Sequence, residues 1–291
     1  MSEEKTYRSS AGDFHYFDWG GTGPLAHFSH ATGFCAGMYS PLAERLLSHL
    51  RMVGMDDRGH GKTRAVTDLN KLKNWDIFAQ DLERFFEHLN EPVIAMGHSR
   101  GAASSLLLTI RRPDLVRALV LVDPTILPLK WKWMWFTAQK LGLTGLAPIV
   151  SRAAKRRNPW PDRETIINAY RDFGPFRNWK DGFLEGYINH GTEKTDDGTV
   201  RLCCDPAWES KSFSSCPPSV WKELTGLKRP TLVIYGADSD TFLAPAAKRF
   251  KAIVPNAVMR RFDDTSHFVP MERPDETSQA IIGFLKDNKI I

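Results

Sequence analysis

Cysteine is scarce in this 291-residue chain: four in all, at Cys35, Cys203, Cys204 and Cys216, with no C-x-x-C spacing and no paired histidine ligands nearby. A disulfide framework or a structural zinc site is therefore not expected, and a reducing cytoplasm is the expected compartment. Long apolar runs are missing as well. Nothing approaches the roughly 20 consecutive apolar residues that a membrane-spanning helix needs. The opening Met1–Lys5 has no apolar h-region, so no signal peptide is expected. There is no H-E-x-x-H and no clustered His/Cys set, so neither a metal nor another cofactor is anticipated. Internal repeats and low-complexity linkers are absent. So are RNP-like, zinc-finger and helix-turn-helix patterns, which argues against a nucleic-acid partner. The net charge of +5 is modest and concentrates in Arg152–Arg157, with Lys130, Lys132 and Lys140 nearby. A solvated helix face accounts for such a run, and attraction of anionic substrates or a membrane surface is the sharper reading.

What the chain does have is a regular alternation. Leu25–Ser29, Arg51–Met55, Pro92–Met96 and Val116–Val122 are short apolar runs that read as strands. Before them, Phe14–Gly21 reads as an edge strand or hairpin. Between them lie helical patterns. One is a helix with Ser40 as N-cap and Pro41 at the first position; another runs from Trp75 to Leu89 with one apolar stripe. Strand and helix in turn argue for a mostly parallel sheet flanked by helices. The rhythm lapses after Ile126, where no strand can be assigned up to about Phe213. It resumes with Pro230–Gly236, a helix near Pro245–Ile253, the strand Val258–Phe262 and a last helix over Pro274–Lys286. The expected organisation is therefore an α/β core domain of residues 1–123 and 214–291, with 124–213 inserted as a mainly helical cap.

The Pro92–Met96 run leads straight into Gly97-His98-Ser99-Arg100-Gly101 and then a helix-forming segment. Strand, G-x-S-x-G, helix is the setting of a nucleophile elbow, in which a tight turn exposes the serine hydroxyl above the sheet. The bland alternative is a glycine-rich loop with a bystander serine. A serine hydroxyl needs a base to take its proton, and the base needs a carboxylate to fix its tautomer. Two loops of the resumed sheet supply both residue types, Gly236-Ala-Asp-Ser-Asp240 and Asp263-Asp-Thr-Ser-His267.

With His30-Ala-Thr-Gly-Phe34, Asp57-Arg-Gly-His-Gly61, the Asp123-Pro124 strand end and Ser266-His267-Phe-Val-Pro270, the ordered set resembles the α/β-hydrolase superfamily, serine-nucleophile branch, over nearly the whole chain. The resemblance implies Ser99 as nucleophile and His267 as general base. Family members commonly carry the acid three residues after the strand's glycine, which here is Ser239. Asp240 is the expected acid, Asp238 the alternative, and Asp123 an outside candidate because some relatives use that position. The oxyanion hole is expected from the backbone N–H groups of Arg100 and Phe34. The Arg100 side chain is unusual at its position; a core acid such as Asp123 or a substrate carboxylate are its two expected partners. Relatives that attack through an aspartate, the haloalkane dehalogenases and epoxide hydrolases, are disfavoured by the serine.

The cap segment is dense in Trp, Phe and Tyr, mostly suited to its own small core and its seam with the main domain. Leu129–Phe136 alternates too densely for a clean amphipathic helix; a pocket wall or an interfacial anchor fits it. The expected activity is hydrolysis of a carboxylic ester or thioester with a hydrophobic moiety, through an acyl-enzyme on Ser99. C–C bond, lactone or peptide hydrolysis by the same residues, or a slow-turnover receptor on the same fold, are the alternatives. The expected partner is a small-molecule ester, with no integral membrane segment.

Overall fold

A computed structural model describes residues 2–215 and 220–291; Cys216 lies outside them. Ten strands are present among the described residues. They are β1 (Glu3–Ser9), β2 (Gly12–Gly21), β3 (Leu25–Ser29), β4 (Arg51–Met55), β5 (Val93–His98), β6 (Val116–Val122), β7 (Thr192–Lys194), β8 (Val200–Leu202), β9 (Thr231–Gly236) and β10 (Val258–Phe262). Eight of them form one sheet in the order β1-β2-β4-β3-β5-β6-β9-β10. Every neighbouring pair is parallel except those made by β2, which runs against both β1 and β4. The fold is the expected α/β one, a mostly parallel sheet with helices on its faces.

Both faces of the central strands are covered, which is why β5 and β6 are written as almost unbroken apolar runs rather than as alternations. On one face Phe28, Ile94, Met96 and Val120 pack with Ile281 and Leu285 of the last helix. On the other, Ala95, Leu119 and Val233 pack with Phe85, Leu106 and Phe250. Burying each such side chain contributes about 1.5–3 kcal/mol.

The helices of the main layers are α1 (Ser40–Glu44), α2 (Asp76–Leu89) and α3 (Arg100–Arg111). Between β6 and β9 the chain leaves the large sheet for α4 (Leu129–Lys140), α5 (Pro148–Ala154), α6 (Arg163–Arg171), α7 (Phe183–His190), the antiparallel ribbon β7–β8, α8 (Pro206–Ser214) and α9 (Val220–Glu223). The chain then finishes with α10 (Ala244–Ile253), α11 (Val269–Glu272) and α12 (Pro274–Asp287). Three details depart from the sequence reading. The ribbon is too short, at three residues a strand, to leave a period-2 signal. Glu3–Ser9 is a polar edge strand whose charges hid it. Ser40 lies inside α1 instead of capping it; its hydroxyl accepts from Trp19 Nε1 and donates to the Gly37 carbonyl.

Register brings the carboxyl ends of the strands level. His98 pairs with Val122, Val122 with Ile234, and Gly236 with Phe262. The residues that follow these four strands therefore meet at one edge of the sheet, where open α/β sheets place their ligands.

Candidate active site

Ser99 stands between β5 and α3 with φ +56° and ψ −117°, a strained conformation for a residue with a Cβ. The surrounding chain holds it there. The Ser99 N–H donates to the Val122 carbonyl at 3.1 Å, and its own carbonyl accepts from Ala103 and Thr125, each at 3.2 Å. The two flanking glycines are sterically required. A Cβ on Gly97 would fall 2.6 Å from the carbonyl carbon of Gly101, and one on Gly101 would fall 2.3 Å from the Ser29 carbonyl oxygen. The Ser99 hydroxyl lies 3.2 Å from Thr125 Oγ1, a neighbour that no sequence signal marked.

His267 follows β10, in the loop before α11. Its Nδ1 is 2.8 Å from Asp123 Oδ1. The carboxylate facing the histidine is therefore Asp123, at the end of β6, and the expected Asp240 and Asp238 are not in that place. Both are exposed on the loop after β9. Asp240 Oδ1 accepts only from the adjacent Thr241 hydroxyl, at 3.0 Å. The physical reason lies in what surrounds Asp123. It is fully buried, and it also accepts from the Gly236 N–H (3.0 Å) and from Ser239 Oγ (2.6 Å). Ser239 thus occupies the slot three residues after Gly236 and turns its hydroxyl toward a carboxylate donated by the neighbouring strand. An ionised Asp123 makes Nδ1 of His267 the donor, which leaves Nε2 with its lone pair.

The rest of His267 is fixed by a second histidine. His98 Nε2 donates to the His267 carbonyl at 2.9 Å, while His98 Nδ1 accepts from the Tyr39 hydroxyl at 2.8 Å. Burial holds His98 well below the ordinary histidine range, with the adjacent His267 pushing the same way. The loop itself is tied by Glu272, whose carboxylate accepts from the Ser266 N–H and hydroxyl.

The loop after β3 spends most of its own N–H groups within the protein. The Phe34 N–H closes a turn on the Ala31 carbonyl at 3.3 Å, with Gly33 at φ +82° in the third position. That is the pattern of a type II turn, which needs glycine there. The Gly33 N–H donates to His60 Nε2 at 3.1 Å, and the Ala31 N–H to Tyr39 Oη at 3.2 Å. Thr32 is the residue of this turn whose N–H has no acceptor among the described residues, whereas the N–H of Phe34, the expected donor, is engaged by Ala31. The Arg100 N–H opens α3, where the first-turn donors of a helix have no intrahelical partner.

The Arg100 side chain is fully buried and pairs with neither Asp123 nor solvent. Its Nη2 lies 2.8 Å from Asp57 Oδ2, its Nε donates to Thr32 Oγ1 at 3.0 Å, and its guanidinium lies 4.0 Å from the centre of the Phe78 ring. It is a core strut between the Thr32 turn and the Asp57 loop. His30 and His60 belong to the same framework. His30 Nε2 accepts from the Asp57 N–H at 2.9 Å, and burial depresses the pKa of both rings.

Over this edge lie aromatics from the segment between β6 and β9. The Phe34 ring meets Trp179 at 5.6 Å, Tyr187 at 5.0 Å and Phe268, the neighbour of His267, at 6.3 Å. Arg156, the one inward-facing cation of the basic run, is bound by Glu209 (2.7 Å) and by the Tyr187 hydroxyl (2.6 Å). Glu209 in turn packs on Gly33, where a Cβ would come within 2.3 Å of its Oε1.

Comparison with known proteins places these features in context. A family model described as the alpha/beta hydrolase family matches residues 25–280. Haloalkane dehalogenase 2 of Mycobacterium bovis is 24% identical over 298 residues, covering 96% of this chain and 94% of that protein. 2-(Acetamidomethylene)succinate hydrolase of Mesorhizobium japonicum is 24% identical over 268 residues, covering 91% and 89%. Among solved structures, E-2-(acetamidomethylene)succinate hydrolase superposes with a TM-score of 0.82 at 20% identity, over 98% of this chain and 100% of that one. The thioesterase domain from the curacin biosynthetic pathway superposes with a TM-score of 0.81 at 19% identity, over 97% and 99%.

Proposed function

The chain belongs to the alpha/beta hydrolase family, and from that premise we propose that it is a serine hydrolase cleaving a carboxylic ester or thioester through an acyl-enzyme on Ser99. The observation that carries this reading is the strained Ser99 at the same sheet edge as a histidine whose Nδ1 is engaged by the buried Asp123. In the proposed reaction His267 Nε2 takes the Ser99 proton as Oγ attacks the carbonyl carbon. The oxyanion of the tetrahedral intermediate is received by the N–H groups of Arg100 and Thr32. Collapse expels the alcohol or thiol, which takes the proton back from His267. Water, deprotonated by the same Nε2, then attacks the acyl carbon and frees Ser99.

Several relatives carry hydrolase names, and their bonds differ. Dehalogenation through an alkyl–enzyme ester requires a carboxylate at the elbow, and this chain has a hydroxyl there. The hydrophobic part of the substrate is supported by the aromatic wall of Phe34, Trp179, Tyr187 and Phe268 beside the base. We take residues 124–213 as the cap that shields the site from water. Free thiols at Cys35, Cys203 and Cys204 fit the proposed cytoplasmic setting.

The test is a series of p-nitrophenyl esters of rising acyl length, offered to wild type and Ser99→Ala. Wild type is expected to turn over repeatedly and to prefer longer acyl chains to acetate. The variant is expected to lose about four orders of magnitude or more in kcat. A wild type that cleaves none of the esters, or a variant as fast as wild type, overturns the proposal.

A further inference from the structure

Helix α4 breaks the usual rule for soluble surfaces. Trp131, Trp133, Met134 and Phe136 are 44–60% exposed, and the exposed apolar surface continues through Leu141, Leu143, Leu146 and Ile149 toward α5. Single exposed apolar residues are ordinary, but a tract of this length rich in tryptophan marks a surface made for something other than water. The helix keeps a dry side as well. Trp135 and Ala138 are half-buried, Leu129 packs against the core, and Gln139 Nε2 donates to the Ser214 carbonyl at 2.7 Å, so α4 is anchored to α8 on that side.

Charge decides what the tract meets. From Pro124 to Pro161 there is no Asp or Glu, and besides the inward Arg156 the segment carries Lys130, Lys132, Lys140, Arg152, Lys155 and Arg157. Lys130, Lys140, Arg152 and Lys155 are exposed and have no acidic partner among the described residues. Lys140 Nζ sits 4.7 Å from the centre of the Phe136 ring, so cation and aromatic share one patch. Tryptophan beside lysine, with no compensating acid, matches the boundary of an anionic bilayer. There the indole ring sits among headgroups, the lysine stem follows it and the ammonium meets phosphate.

We propose that α4 and the turn leading to α5 form a peripheral docking surface for an anionic lipid membrane. The surface lies in the plane of the headgroups and spans nothing; no helix among the described residues is long and apolar enough to cross a bilayer. Five residues separate Asp123 from Leu129, so docking places the lipid surface close along the chain to the candidate active site. The inference concerns binding alone and does not depend on the hydrolase reading.

The test is flotation of the full chain with vesicles of phosphatidylcholine, with and without phosphatidylglycerol. Wild type and Ser99→Ala are expected to float alike with the anionic vesicles, at least about tenfold more than with the neutral ones, and to be released by high salt. Two combined variants, Trp131→Ser/Met134→Ser/Phe136→Ser and Lys130→Glu/Lys140→Glu, are each expected to lose that binding about tenfold or more. Their unchanged thermal unfolding would show that the fold is kept, and either variant alone suffices if the other fails to fold. Wild type that floats with neither vesicle, or binding that survives in a folded variant, overturns the proposal. So does a dimer in sedimentation that the apolar variant dissolves while vesicles go unbound, because the tract would then serve a second copy of the chain.

Discussion

Asp123, and not Asp240, is the carboxylate set against His267, and its surroundings give the reason. A carboxylate at the end of β6 sits between the serine of β5 and the loop of β9, and its backbone is turned to φ +42°. Three donors then converge on it from β9, from Ser239 and from His267. Asp240, one residue past the donor Ser239, faces solvent. The two candidates make opposite predictions. Asp123→Asn is expected to lower kcat on the ester that wild type prefers by about three to four orders of magnitude, because the amide no longer holds the productive tautomer. Asp240→Asn is expected to leave kcat within about twofold, since surface substitutions away from a site do little. Parallel kinetics on the two variants check this, and the reverse ranking would restore Asp240. The sequence held both the residue and its slot, but the slot was filled by a serine. Which neighbouring strand supplies the carboxylate depends on register, and register is long-range.

At the scale of elements, the strand–turn–helix units were legible because each carried a local signature. β5 with its glycine elbow, β10 with the following Ser266-His267, and the final helix all fell within a residue or two of expectation. The turn after β3 was less so. The choice between Phe34 and Thr32 as donor depends on which N–H groups its own hydrogen bonds consume, and three of them are consumed. A type II turn accepts proline in its second position, which is where Thr32 stands. Thr32→Pro is therefore expected to fold, to remove the proposed oxyanion donor and to lower kcat by about 10²–10³. Thr32→Val keeps the N–H and loses only the hydroxyl contact with Arg100, and is expected to retain most of kcat. Equal losses in the two variants would assign the effect to the Arg100 strut and not to the N–H.

For the whole molecule, the buried histidines give stability a direction in pH. Burial lowers the pKa of His30, His60 and His98 and brings His27 down to about 3. As pH falls through the unfolded value near 6.5, the unfolded chain binds protons that the folded one refuses. Stability is then complete above that value and is lost as pH descends toward the folded pKa values, by about 1.4 kcal/mol per pH unit for each such histidine. The urea midpoint is expected to fall between about pH 7.5 and pH 5.5; an unchanged midpoint would contradict the assignment of these rings as neutral framework. The segment between β6 and β9 was visible in the sequence only as a lapse in rhythm, because its short ribbon and its aromatic contacts with Phe34 and Phe268 are made by packing and leave no periodic trace. The account as a whole stands on Ser99 being an activated nucleophile. Labelling the intact protein with a fluorophosphonate and mapping the adduct by peptide mass spectrometry tests that directly. The expected result is one adduct per chain, on the peptide bearing Ser99, slowed by orders of magnitude in His267→Ala. An unlabelled Ser99, or labelling indifferent to His267, would contradict it.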